Sequence, residues 1–463
     1  MVRRPAWLQV LLLLAAASVF PARGAEELRD PFPFFPSLLT TVTGKPLPST
    51  AFFPPGKCRG CHALLYDQWK GSMHSNAFRD PIFQALWKLA AEETEGRGDR
   101  LCAGCHTAVG TVAEEVERGP DGEFRVSPVA AEGVHCHLCH SVVGTRGPAT
   151  PTGWPQNGSL VLGPSRTMRG PYDDARPLWH RAAQSALHPR AEFCGNCHNV
   201  FHPLNHFPIE NTYTEWRFSV YAQKGIVCQD CHMMPVEKAR EVARTLERPR
   251  NPGRASPMGP RRDNVFTHEF VGANAAVTGW LGAERHRALA VERLRSAATV
   301  ELGVPEDAAP GELARVRVRV RNVGAGHHLP TSLTEVRQMW IDLRVADGAG
   351  REVYRSGALD AEGNLTEGAV LFRAEAVDAR GRHTDRPWEI VRFEYNTTIP
   401  PKGCADREYA FLVPAAAVGP LTVQATLRYR SYPQRLVRFL LGADAPTVPV
   451  VDMAGADGRI PLR

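Results

Sequence analysis

The chain has 463 residues, 43% of them hydrophobic and 22% charged, with 55 Lys and Arg against 49 Asp and Glu for a formal net charge of +6. That length is enough for two or three domains with a sizeable core. The modest positive balance comes with no nucleic-acid-binding module, so a nucleic-acid partner is excluded as a reading.

Residues 1–24 read as a secretory signal. Arg3 and Arg4 give a basic start, an apolar run follows to Phe20, and Ala22-Arg23-Gly24 places small residues before a cut at Ala25. An apolar run of about 14 residues is short for a bilayer span, so cleavage is expected over anchoring. This segment carries Arg3, Arg4 and Arg23 and no acid, so its loss lowers the charge from +6 to +3. The expected address is periplasmic, or associated with the cell surface after further export. Residues 25–57, with Pro31-Phe32-Pro33-Phe34-Phe35-Pro36, read as an extended N-terminal arm.

From residue 58 onward one pattern recurs five times. Cys-x-x-Cys-His occurs at Cys58/Cys61/His62, Cys102/Cys105/His106, Cys136/Cys139/His140, Cys194/Cys197/His198 and Cys228/Cys231/His232. This is the attachment signature of haem c: the cysteines form thioethers to the porphyrin and the histidine supplies an imidazole to iron. Zinc knuckles have no use for a histidine after every second cysteine, and a redox dithiol occurs once, beside a βαβ pattern absent here. Ten of the eleven cysteines are consumed, leaving Cys404, read as a passive thiol. The expectation is five covalent haems.

Between the motifs, helices are expected over 63–78, where Leu64, Leu65, Trp69 and Met73 share a stripe, over 81–95, and over 176–187. Residues 107–132 and 143–176 read as loops. So few long periodic segments imply that the porphyrins themselves form much of the core, and haem removal should unfold this half. Residues 240–263 are basic and Pro/Gly-rich, a linker or strap, and an amphipathic helix is expected over 280–297.

After residue 300 the period changes. Val316, Val318 and Val320 alternate with Arg315, Arg317, Arg319 and Arg321, a half-exposed strand. Further strands are expected at 339–345, 352–355, 389–395, 408–413 and 422–429, with Asp347-Gly348 as a hairpin turn. The overall class is therefore α+β and multidomain. A mostly α and irregular multihaem cytochrome domain spans 58–298, an antiparallel immunoglobulin-like β-sandwich spans 299–445, and 446–463 forms a C-terminal tail.

Seventeen histidines less the five motif histidines leave His74, His135, His137, His180, His188, His202, His206, His268, His286, His327, His328 and His383. An electron-transfer haem is usually closed by a second strong ligand, so at most five of these are needed. Local context favours His74 after Trp69 and Met73, His188 before a proline, His268 between aromatics, and His327 after Ala325-Gly326. His135, His180, His202 and His206 compete for the fifth place, for which His135 is taken. His383, among Arg and Thr, reads as solvent-facing.

Several further strings carry a family resemblance. They are Trp69-Lys70-Gly71-Ser72-Met73-His74 with Asp80-Pro81, Gly133-Val134 before Cys136, and Thr214-Glu215-Trp216 ahead of the fifth motif. His268-Glu269-Phe270-Val271-Gly272 and Gly326-His327-His328-Leu329-Pro330-Thr331 add to them. Together they resemble the multihaem cytochromes of the cytochrome c-554 (c-552/4) type. The resemblance implies closely stacked haems, largely with two histidine ligands, passing single electrons, with His74, His188, His268 and His327 at distal positions. If His327 ligates iron, the β domain is clamped to the haem domain by a metal bond.

The leading functional reading is an electron carrier between donor and acceptor proteins, such as membrane-bound redox complexes or other cytochromes. The alternative is an oxidoreductase with one open haem acting on a small nitrogen or sulfur compound. All five motifs end in histidine, which argues against a nitrite reductase marked by lysine at that position. A third reading makes the β domain a docking platform with the haems as conduit.

Overall fold

The computed structural model describes residues 32–463. The expected signal at 1–24 and the start of the expected arm lie outside the described residues.

The first half is built from short helices joined by long irregular segments. Pro81–Glu93 has the start that its sequence dictates: Asp80 accepts hydrogen bonds from the Ile82 and Phe83 amides, and Pro81 occupies the first turn. This helix buries Ile82, Trp87, Ala90 and Ala91. The helix expected over 63–78 stops at Trp69. Gly71, just past the end of this helix, takes a φ of +93°, a left-handed conformation that the regular helical period cannot run through.

Two other expectations are corrected here. Residues 32–57 do not form an extended surface arm: Phe34, Leu39 and Phe52 are buried with Val109, Val112, Leu138, Val142 and Leu162. Thr40–Thr41 pairs in parallel with Val161 and Leu162. The Phe and Leu content that suggested an arm is worth about 1.5–3 kcal/mol per buried side chain, so it is used as core. The helix expected over 176–187 is also absent. Arg181–Gln184 is a strand paired in parallel with Thr167–Gly170, a case of tertiary pairing overriding local helix propensity.

The second half is rich in antiparallel strands. Ala298–Gly303, Leu313–Asn322 and Cys404–Leu412 form one sheet, in that order. Glu352–Ser356, Gln338–Ala346, Leu421–Arg430 and Val451–Ile460 form a second, with Leu371–Phe372 also paired to Gln338–Ala346. The alternation at 315–321 behaves as its period requires. Val316, Val318 and Val320 face a core shared with Ile341, Leu343, Val423 and Leu427 of the second sheet. Arg315, Arg317, Arg319 and Arg321 pair outward with Glu408, Asp406 and Glu301 on neighbouring strands.

The expected C-terminal tail at 446–463 is instead the last strand, Val451–Ile460, which lies along Leu421–Arg430. Its Ala-Gly-Ala-Asp-Gly centre has almost no apolar alternation, so the sequence period is silent while the backbone ladder still forms. Cys404 opens a strand and is exposed.

Two helices are among the elements that join the halves. The helix expected over 280–297 runs from Glu284 to Arg295 and sets Ala290 and Leu294 against the core of the sheets. Gln434–Leu441 lays Leu436 and Val437 against Ile82 of the first half, together with Val277, Val336, Tyr432 and Val448. Among the described residues, no helix is long and apolar enough to cross a membrane.

Candidate cofactor cavity and its histidine pairs

One continuous cavity of about 1810 Å³ runs through the first half, and all five Cys-x-x-Cys-His motifs line it. Each motif occupies about one helical turn. The His62, His198 and His232 amides bond back to the Cys58, Cys194 and Cys228 carbonyls at 2.9, 3.0 and 2.9 Å. In such a turn residues three and four apart share a face, so both thiols and the following imidazole are presented together.

The motifs also meet each other. Thiol contacts join Cys58 to Cys136, Cys105 to Cys197, and Cys194 to Cys228. Burial pushes the Cys102 and Cys139 thiols up to about 12 and Cys231 to about 11, so they stay protonated.

The motif histidines are oriented by their backs. Nδ1 of His62, His106, His140 and His232 bonds the carbonyls of Ala255, Ala77, Arg169 and Val271 at 2.7, 2.8, 2.5 and 2.7 Å. Nδ1 therefore carries the proton and Nε2 is left as the lone-pair nitrogen on the cavity side, the arrangement of a metal-ligating imidazole. Burial holds His106 at about 4 and His232 at about 3, which keeps the neutral, ligating form. Thiol pairs, oriented imidazoles and a continuous cavity fit covalently attached haem.

Across the cavity, second histidines stand opposite four of the five. Ring centroids are 6.4 Å apart for His62 and His180, 6.2 Å for His198 and His74, and 6.1 Å for His232 and His327. His140 has two neighbours, His268 at 6.4 Å and His188 at 5.8 Å. Two imidazoles on opposite sides of one iron need centroids about 6 Å apart, from metal–nitrogen bonds of about 2 Å each. Nδ1 of His180, His268 and His327 is engaged by the carbonyls of Arg181, Phe266 and His328, again leaving Nε2 open. His188 differs: its Nε2 sits 3.1 Å from the Cys139 carbonyl and its Nδ1 is buried without a partner.

The remaining histidines sort out plainly. His135 is 1% exposed, with neither ring nitrogen bonded, yet it stacks on no motif histidine among the described residues. His137 ties the Phe53 amide to the Ser165 carbonyl. His202, His286 and His328 bond Trp388, Gln68 and Thr398. His383 is surface-exposed between Glu375 and Glu394, as its context implies. His106 faces no second histidine ring among the described residues; Phe83 stacks on it at 3.6 Å with planes 3° apart. The ring that stands opposite His62 belongs to His180, one of the four competitors for the fifth place. The legible signal for His180 is the pair of large apolar residues Leu178 and Trp179 directly before it, in an otherwise polar stretch.

The five motifs and this cavity are those of a multihaem c-type cytochrome with haem c as its cofactor. Residues 57–141 match the family model described as cytochrome c554 and c-prime. A penta-heme cytochrome c552 from Thermochromatium tepidum has a similar fold. The TM-score is 0.62 at 18% identity, covering 89% of this chain and 100% of that one. A CARDB domain from Pyrococcus furiosus aligns at 12% identity over 36% of this chain and 87% of its own, but its TM-score of 0.18 carries no argument. No curated protein matches the chain.

Proposed function

We propose that the protein is an exported cytochrome holding five haem c groups, one per motif, that passes single electrons between redox proteins. The observation that carries this reading is the set of opposed histidine rings at 5.8–6.4 Å facing His62, His140, His198 and His232. Haem c supplies, when bound, an iron that changes charge by one electron. His62, His140, His198 and His232 with the rings opposite them would hold that iron between two imidazoles, which would exclude small ligands and keep the coordination fixed between oxidation states. The distal set we infer is His180, His74, His327 and, opposite His140, His268.

The thiol contacts support an order of neighbours. The first motif adjoins the third through Cys58 and Cys136, the second adjoins the fourth through Cys105 and Cys197, and the fourth adjoins the fifth through Cys194 and Cys228. Cys139 of the third also acts on Cys194 and Cys197 of the fourth. The fourth haem is then the hub of a branched wire. Residues 1–24 direct the chain to the periplasm in this reading, and the donor and acceptor are other cytochromes or membrane-bound redox complexes. Two antiparallel sheets over one core support reading the second half as an immunoglobulin-like sandwich.

A second reading is favoured by His106 alone. With no second histidine ring facing His106 among the described residues, the second haem would have an open side, and the protein would be an oxidoreductase acting on a small nitrogen or sulfur compound. One experiment tests both. A haem count per chain by pyridine haemochromogen should return five, and fewer would overturn the proposal. EPR of the same sample with and without NO or CO should show four unresponsive low-spin haems. A fifth that binds the probe supports the second reading, and five unresponsive haems exclude it.

A further inference from the structure

At the seam between the haem cavity and the strand region stands a half-buried cation outside every ion pair of the described residues. Arg337, at the entry to the strand Gln338–Ala346, lines the cavity and donates from Nη1 to the Ser431 carbonyl at 2.9 Å. Its guanidinium lies 5.2 Å from the centre of the Tyr432 ring, and the Tyr432 hydroxyl bonds to it. None of the ion pairs among the described residues includes Arg337. A guanidinium partly withdrawn from water and without a paired anion is stabilised when an anion binds.

The acids around it do not fill that role. Asp80 accepts from the Ile82 and Phe83 amides. Glu210, 6% exposed, uses one carboxyl oxygen on Thr212 and leaves Oε2 buried without a partner. Glu335, 4% exposed, has neither oxygen partnered. Burial pushes Asp80 up to about 6, Glu210 to about 7 and Glu335 to about 8. None of the three forms an ion pair with Arg337 among the described residues; near neutral pH Glu335 is largely protonated, Glu210 about half so and Asp80 mostly ionised, and a protonated carboxyl can donate a hydrogen bond.

The pocket borders the second and fourth motifs. Asp80 caps the helix whose Phe83 stacks on His106, and Glu210 acts electrostatically on Cys197, which touches Cys105.

We propose that Arg337, Tyr432 and the Glu210 carboxyl form an anion-binding pocket facing the haem cavity, built to hold a carboxylate or a small oxyanion. This rests on the haem-bearing reading of the cavity. The shared chemistry has two sources: a propionate of the adjacent haem, or a free oxyanion that enters the cavity.

The test uses the haem-loaded protein and its Arg337→Gln and Arg337→Lys variants, with nitrite as the probe and potentiometric titration of the haems alongside. If the anion is free, nitrite perturbs the visible and EPR spectra saturably. Arg337→Gln then weakens that response by about tenfold or more, the size of a lost hydrogen bond to a charged group. Arg337→Lys restores part of it, and the haem potentials hold. If the anion is a propionate, nitrite is silent and Arg337→Gln lowers the potential of one haem, with Arg337→Lys partly restoring it.

A folded, fully loaded Arg337→Gln protein that matches the wild type on both scales overturns the pocket. If Arg337→Gln does not load haem, Arg337→Lys and Tyr432→Phe are read on the same scales, and no change in either overturns it as well. The haem count of each preparation tests the haem-bearing reading separately, so its failure is distinguishable from that of the pocket.

Discussion

The rings of His232 and His327 lie 6.1 Å apart with their planes 15° from parallel, although 95 positions separate them in the chain. His232 closes the fifth motif, and His327 sits in the turn that leaves the strand Leu313–Asn322. That turn is held from below: Glu215 accepts from the His328 amide at 3.1 Å and from the Thr331 hydroxyl at 2.6 Å, and Asn322 donates to the His327 carbonyl at 2.9 Å. The strand region therefore reaches into the cavity with a prearranged imidazole.

His327→Ala is expected to convert one haem from low-spin to high-spin or water-ligated form. EPR of the oxidised protein reads this directly, and an unchanged low-spin count would remove His327 from the ligand set. The variant should also loosen the seam, so protease cleavage between residues 299 and 337 should accelerate.

His180 and His135 separate a ring that faces a motif histidine from one that is merely buried. His180→Ala should produce a new high-spin signal, because His180 stands 6.4 Å from His62. His135→Ala should leave the haem spectrum unchanged, despite the deeper burial of His135. The opposite result would reverse the assignment.

Opposite His140 the two neighbours are distinguished by what their nitrogens already hold. His268 has Nδ1 engaged and Nε2 open, whereas His188 gives Nε2 to the Cys139 carbonyl. His268→Ala should therefore open a haem, while His188→Ala should lower thermal stability and leave the spin state intact. Resonance Raman spin-state bands of the two variants check this.

Glu335 supplies a pH dependence. Burial raises its carboxyl from 4.5 to about 8, so the folded state binds this proton more tightly than the unfolded one. Its contribution is fully present below pH 4.5 and is lost as pH rises toward 8. Glu335→Gln should be neutral at pH 5 and should raise stability at pH 8 by at least about 1 kcal/mol, since a tenfold difference in proton affinity between the two states is worth about 1.4 kcal/mol. Thermal unfolding of the haem-loaded protein at the two pH values measures the difference, and a constant gap between variant and wild type would refute it.

The strands were readable where side chains alternate, as at 315–321, because one buried face imposes a period of two. They were unreadable at 451–460, where small residues let the backbone ladder form without that period. The N-terminal segment misled because Pro-rich sequence describes local conformation and says nothing of what lies over it. Phe34 and Phe52 were covered by residues 109–162, far along the chain.

The five motifs were determined by sequence alone. Thioether attachment and the first imidazole are constraints within one helical turn, so five consecutive residues are enough to specify them. The opposing side of each motif histidine was decided only by tertiary structure. His62 meets His180, His198 meets His74 and His140 meets His268, each across a cavity that only the folded chain encloses. No local spacing encodes such a meeting, because it depends on where helices and strands distant in the chain come to rest.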